Sequence, residues 1–156
     1  MKRTSEVLLG ARSLSVLVLV LWVAGCGGGP TPALSHLSYD GPAPDSPLVL
    51  LLSVDFRDDD ADLASCTVQD SKSKCALETF INQRPTSAGP LSLLPIFVQS
   101  KVPQSATTGT LHFVLELSFS DQAPAAGSTF TLGARAVDAA NNTSSTQEIK
   151  LKLEDG

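Results

Sequence analysis

The sequence predicts an all-β domain, a single β-sandwich of about seven strands that follows a cleaved N-terminal signal. Three observations carry this. Apolar residues recur at every second position in four runs between residues 48 and 153, the spacing of strands with one buried face. Clusters rich in Gly, Pro, Asn and Asp separate the runs, and these residues supply the backbone angles that turns require. No stretch after residue 25 carries a sustained apolar stripe of helical period.

The first element is residues 1–25. Lys2, Arg3 and Arg12 precede Leu14, Val16, Leu17, Val18, Leu19, Val20, Leu21, Trp22 and Val23, and the small residues Ala24 and Gly25 come next. This order of charged, apolar and small residues is that of a secretory signal peptide. The apolar run, about 11 residues, is too short for a membrane span, which needs roughly 20. Val23-Ala24-Gly25-Cys26 resembles the lipobox of bacterial lipoprotein precursors. That resemblance implies cleavage before Cys26, diacylation of its thiol with palmitate-class chains, and a lipid anchor in the bacterial cell envelope. Gly27 rather than Asp after the cysteine implies the outer membrane. The plainer alternative is a free cysteine after an ordinary signal peptide.

Residues 26–33 form the next unit, the lipidated cysteine and its tether. Gly27-Gly28-Gly29 is flexible, and Pro30 and Pro32 stiffen the second half of the tether. Two or three acyl chains would anchor the chain far more firmly than one. Without residues 1–25 the chain has 8 Lys and Arg against 15 Asp and Glu. Such a surface attracts neither nucleic acid nor anionic headgroups, so the expected membrane contact is the lipid alone.

The sandwich is expected over residues 34–156. A weak strand fits 34–39. Leu48, Leu50, Leu52, Val54 and Phe56 then alternate with Val49, Leu51, Ser53 and Asp55, and the apolar start of the second set suggests a strand covered on both faces. Weak strands also fit 64–69, 76–82 and 94–99. Ala76, Leu77 and Glu78 favour helix within 76–82, whereas Thr79, Phe80 and Ile81 favour strand; strand or irregular structure is expected. The clearest strand is Thr110–Phe119, with Leu111, Phe113, Leu115, Leu117 and Phe119 on one face. Phe130, Leu132, Ala134 and Ala136 form a third inward set and Ile149, Leu151 and Leu153 a fourth, whose outer face carries Lys150, Lys152 and Glu154. Cys66 and Cys75, an even pair in an exported chain, read as a disulfide. Free thiols or a metal pair are the alternatives, but neither cysteine has a Cys or His partner nearby in sequence.

The run from Gly127 to Ser145, with Ala136-Val137-Asp138 and Asn141-Asn142, continued by the alternating Gln147–Leu153, resembles the last hairpin of bacterial immunoglobulin-like, fibronectin type III-like or cadherin-like domains. Val54-Asp55-Phe56-Arg57-Asp58-Asp59-Asp60-Ala61-Asp62-Leu63 similarly resembles the Asp-rich exit of their second strand. In those domains glycine usually stands where this chain has Ala61. The fold implied is a single immunoglobulin-like β-sandwich.

Asp58, Asp59, Asp60 and Asp62 are the densest charge in the chain. Alternating carboxylates suit a hard cation such as Ca²⁺. Asp58, Asp60 and Asp62 are the candidate ligands, with Asp138 and Asn141 or Asn142 closing the site if the two loops share one end of the sandwich. The EF-hand pattern is excluded, since the sixth position lacks glycine and the twelfth lacks glutamate. The competing reading, which the sequence favours, is a solvated Asp-rich turn. No other cofactor is expected. His36 and His112 belong to no nucleophile motif, and there is no Gly-x-Ser-x-Gly, His-Glu-x-x-His or phosphate-binding glycine loop; the chain is expected not to be an enzyme. Trp22 leaves with the signal and Tyr39 is the single tyrosine, so the aromatic platform for carbohydrate stacking is missing. The Asn141 and Asn142 sequons are discounted in a bacterial lipoprotein. These readings converge on a lipid-anchored, non-catalytic interaction or structural module that meets an envelope or surface protein, with a Ca²⁺-dependent adhesion or binding domain as the alternative.

Overall fold

The computed structural model describes residues 29–44, 46–66, 75–118 and 127–152. The expected signal peptide, Cys26, Phe119 and Leu153 lie outside these residues. Among the described residues, eight strands and one short helix occur in the order β1 (Ala33–Ala43), β2 (Ser46–Arg57), β3 (Ala76–Ile81), β4 (Arg84–Pro85), β5 (Leu91–Ser92), α1 (Leu93–Gln99), β6 (Thr108–Glu116), β7 (Thr129–Val137) and β8 (Gln147–Lys152). One sheet runs β1-β2-β6, and the other runs β4-β3-β7-β8 with β5 also on β3. Every pairing is antiparallel. The all-β sandwich expected from the alternation is the observed architecture.

The alternation places the core. Leu50, Leu52, Val54 and Phe56 of β2 and Leu111, Phe113 and Leu115 of β6 are buried on one sheet, facing Leu77 and Ile81 of β3 and Phe130, Leu132, Ala134 and Ala136 of β7 on the other. Leu52 pairs with Phe113 and Val54 with Leu111 across β2 and β6, so inward residues meet inward residues and the period of two fixes the register. Residues 76–81 form strand rather than helix. Bonds to β7 on one side and to β4 and β5 on the other outweigh the helix preference of Ala76-Leu77-Glu78. Val49 and Leu51, on the second face of β2, are half-buried.

β1 is longer than the expected 34–39 and less regular. Its register against β2 shifts three times, His36 has φ 51° and Gly41 φ 121°. As an edge strand carrying bulges and Pro42, β1 is poorly suited to pairing with another chain.

Two expectations are corrected. Residues 94–99 are not a strand but most of α1. Leu93, Ile96 and Phe97 are its buried residues, at the i, i+3, i+4 spacing of one helix face. Pro95 lies in the first turn, where its missing N–H forfeits no intrahelical bond. Phe97 is fully buried, with its ring centroid 5.0 Å from that of Phe56, which ties α1 to β2. Within 64–69, the described residues 64–66 form no strand. The Ser65 amide bonds the Asp62 carbonyl at 3.1 Å, so the chain is still turning after the acidic run. Leu63 and Ala64 are each 1% exposed and pin that turn into the core.

Candidate metal centre

The Asp-rich segment leaves β2 at Arg57 and crosses one end of the sandwich. The Asp58 amide bonds the Thr107 carbonyl at 2.8 Å, just before β6. The chain then folds back on Asp58, whose carbonyl accepts the Ala61 amide at 3.2 Å and whose Oδ2 accepts the Leu63 amide at 2.7 Å. Ala61 has φ 56°, a left-handed conformation that glycine adopts without strain. The departure from glycine at this position therefore falls where glycine has a physical reason to stand.

The second loop, between β7 and β8, closes against the first. Asp138 is fully buried; its Oδ1 accepts the Asn142 amide at 2.7 Å and its Oδ2 the Asn142 Nδ2 at 2.8 Å. Asn142 Nδ2 also donates to the Gly29 carbonyl at 3.1 Å. The Ala140 amide donates to the Asp62 carboxylate, so the two acidic loops share one end of the sandwich, and residue 29 lies at that end with them. A Cβ at Gly29 would meet the Asp60 carboxylate and displace that exposed side chain from its present position.

The carboxylates of Asp58, Asp60 and Asp62 converge, each offering an oxygen within 4.8 Å of the others. Asp58 is fully buried, Asp62 half-buried and Asp60 exposed. The Oδ1 atoms of Asp58 and Asp62 are buried and have no hydrogen-bond partner among the described residues. Burial, offset in part by the Leu63 amide, pushes the Asp58 carboxyl up to about 6, helped by a proton shared with the Asp60 carboxyl and by the charges of Asp60 and Asp62. Burial and the nearby Asp138 and Asp60 raise Asp62 as well, against the pull of the Ala140 amide. The solvated turn that the sequence favours does not describe Asp58 or Asp138, both of which are 0% exposed. It does describe Asp59, which is exposed and pairs with Arg57 at 2.8 Å. Of the four candidate ligands, Asp58, Asp60 and Asp62 come together, while Asp138 stands beside them with both oxygens bonded to Asn142.

Cys66 and Cys75 are joined as a disulfide with Cα atoms 5.7 Å apart. The bond fastens the end of the acidic segment to the start of β3, and Cys75 Sγ lies 3.7 Å from the Asp62 carbonyl.

His36 and His112 are both exposed on the β1-β2-β6 sheet. His36 Nδ1 lies 3.0 Å from Asp55 Oδ2, and Thr110 donates to Asp55 Oδ1 at 2.6 Å. These two bonds hold the Asp55 carboxyl below its ordinary value. His112 Nδ1 lies 3.8 Å from Asp40 Oδ2. Ser38 and Ser53 donate directly to Asp40, at 3.2 and 3.1 Å. In both clusters the hydroxyls reach a carboxylate.

No family model, curated protein or solved structure matches this chain.

Sequence reasoning reached the acidic loop and named Asn142, but missed the contributions of Gly29, Ala140 and Thr107, which act through backbone atoms. The apolar pair Leu63-Ala64 directly after four aspartates was the one available signal that the segment turns inward.

Proposed function

We propose that the chain is a lipid-anchored, non-catalytic module of a bacterial cell envelope. Its single immunoglobulin-like sandwich presents a sheet face or edge strand to a partner protein. The observation that carries this reading is the run Val23-Ala24-Gly25-Cys26-Gly27-Gly28-Gly29-Pro30-Thr31-Pro32, an apolar segment ending in a lipobox-like cysteine and passing directly into β1 at Ala33. Pro32 is fully buried, so the domain begins only six residues after the proposed lipid attachment. Among the described residues no helix is long and apolar enough to cross a membrane; the attachment in this reading is acylation of Cys26. The exposed large apolar residues Tyr39, Val98 and Val114 offer contact surface for a partner without forming an enclosed site.

Replacing Cys26 with Ser tests the anchor. In a bacterial host fed labelled palmitate, the wild-type chain should take up label and sediment with membranes. The variant should lose both properties. Membrane sedimentation of an unlabelled, processed Cys26→Ser chain overturns the reading.

A further inference from the structure

We infer that Asp58, Asp60 and Asp62 form a Ca²⁺ site at the end of the sandwich where residue 29 enters, with Asp138 and Asn142 bracing the loop behind it. An acidic cluster is often only a solvated surface, and two observations separate this one from that case. The Asp58 side chain is 0% exposed, yet the oxygen not used by the Leu63 amide has no partner. Asp62 Oδ1, on a half-buried side chain, is likewise a buried oxygen without a partner. A buried carboxylate oxygen without a donor is costly, and three carboxylates drawn together repel one another. Among the described residues no Lys, Arg or His pairs with any of the three. A cation bound among the three carboxylates offsets their repulsion and gives a buried, donor-less oxygen a partner.

The donor set selects the class of ion. All three donors are carboxylates, with no sulfur or imidazole in the cluster, which favours hard cations over Zn²⁺ or Cu²⁺. Oxygens bound to one Ca²⁺ at about 2.3–2.6 Å lie at most about 5 Å apart, whereas the Mg²⁺ sphere spans only about 4.1 Å. Three oxygens within 4.8 Å of one another fit inside the Ca²⁺ sphere, and a half-exposed, all-carboxylate cluster suits the more flexible coordination of the larger ion. Asp60 is exposed, so the ion has a path from solvent and room for waters. Gly29 keeps the space beside the Asp60 carboxylate free of a side chain.

The test uses the full-length chain in detergent, stripped with EDTA and titrated with CaCl₂ at constant ionic strength. Calorimetry should show one ion per chain with a Kd of about 10⁻⁴–10⁻³ M, the range of extracellular modules. At about 100-fold excess over Kd the melting temperature should rise by about 10 °C. Asp60→Asn, which relieves part of the carboxylate repulsion, should raise the metal-free melting temperature slightly and weaken Ca²⁺ binding at least about tenfold. Asp59→Asn, which removes an equal charge from the outward-facing neighbour, should bind as wild type. The inference is overturned by the absence of any melting shift at 10 mM CaCl₂ beyond that of KCl. Undiminished binding by Asp60→Asn, or an equal response to MgCl₂, also overturns it. Each of these outcomes is independent of whether Cys26 carries lipid.

Discussion

Removing the Cys66–Cys75 bond with the double substitution Cys66→Ala and Cys75→Ala should destabilise the domain by about 2.7 kcal/mol. The bond closes a ring with a sequence separation of 9, and for a loop of about 10 residues the chain-entropy relation gives about −9 cal/mol/K. Alanine suits this test because Cys75 is 4% exposed and a serine hydroxyl there would need a new partner. An expected domain of about 120 residues unfolds with an entropy of about 250 cal/mol/K, so the melting temperature should fall by about 11 °C. Thermal melts monitored by circular dichroism measure this, with the reduced wild-type chain as a control that should melt with the variant. The Ca²⁺ response should survive, because buried Leu63, the Leu63 amide bond to Asp58 and the Asp58 bond to Thr107 hold the metal-facing half of the segment. A loss below about 3 °C in both samples would refute the loop-closure argument. Loss of Ca²⁺ binding in the variant would refute the claim that the Asp58–Leu63 turn stands without the disulfide.

Ala61→Gly should raise stability by about 0.5–1 kcal/mol, since relief of the left-handed φ exceeds the entropy that glycine adds to the unfolded chain; an unchanged or lower urea midpoint contradicts this. Phe97→Ala should cost about 3–5 kcal/mol through the cavity it opens beside Phe56, and a loss below 1 kcal/mol would show that α1 does not seal the core. In EDTA, stability should rise as pH falls from 7 to about 4.5. Asp58 sits near 6 in the folded chain against an ordinary 3.8, so the folded state holds more proton in that window, with at most about 3 kcal/mol at stake. Asp62 acts with the same sign. Asp55, held below its ordinary value, acts oppositely, its contribution being lost only as pH falls below 3.8. Asp58→Asn should flatten the slope between pH 4.5 and 7, and a wild-type urea midpoint that rises with pH over that interval contradicts the assignment.

The fold was legible where side-chain period and burial coincide. Leu111, Phe113 and Leu115 alternate in sequence and are buried at 0%, 2% and 0%, because an antiparallel strand with one core face repeats every two residues. The same reasoning failed at residues 94–99. Seven residues hold barely two helical turns, and a stretch with Leu93, Leu94, Ile96, Phe97 and Val98 reads equally well as a buried strand. The acidic loop was legible as charge but not as burial. Four aspartates in five positions signal solvent, and only the backbone amides of Leu63 and Ala140, together with the Asp138–Asn142 pair, explain how some of them reach the interior. Those amides carry no sequence signature, since every residue except proline has one.

The position of the acidic end bears on what a cation there can do. Asn142 Nδ2 bonds both Asp138 and the Gly29 carbonyl, and Gly29 abuts Asp60. The inferred ion therefore sits beside the point where the tether joins the domain. On the proposed anchoring, Gly29 is three residues from the acylated cysteine, a reach of at most about 11 Å. An ion held that near the bilayer cannot bridge to a partner contacting the opposite end of the sandwich. It can draw the Asp58–Asp62 turn, the β7–β8 loop and the tether into one rigid base, reducing the orientations open to the domain above the membrane. Ca²⁺ then acts as a brace at the root of the module rather than as an adhesive at its tip. On the proposed function, a partner then contacts the sheet faces, where Val114 of β6 and Tyr39 of β1 are exposed.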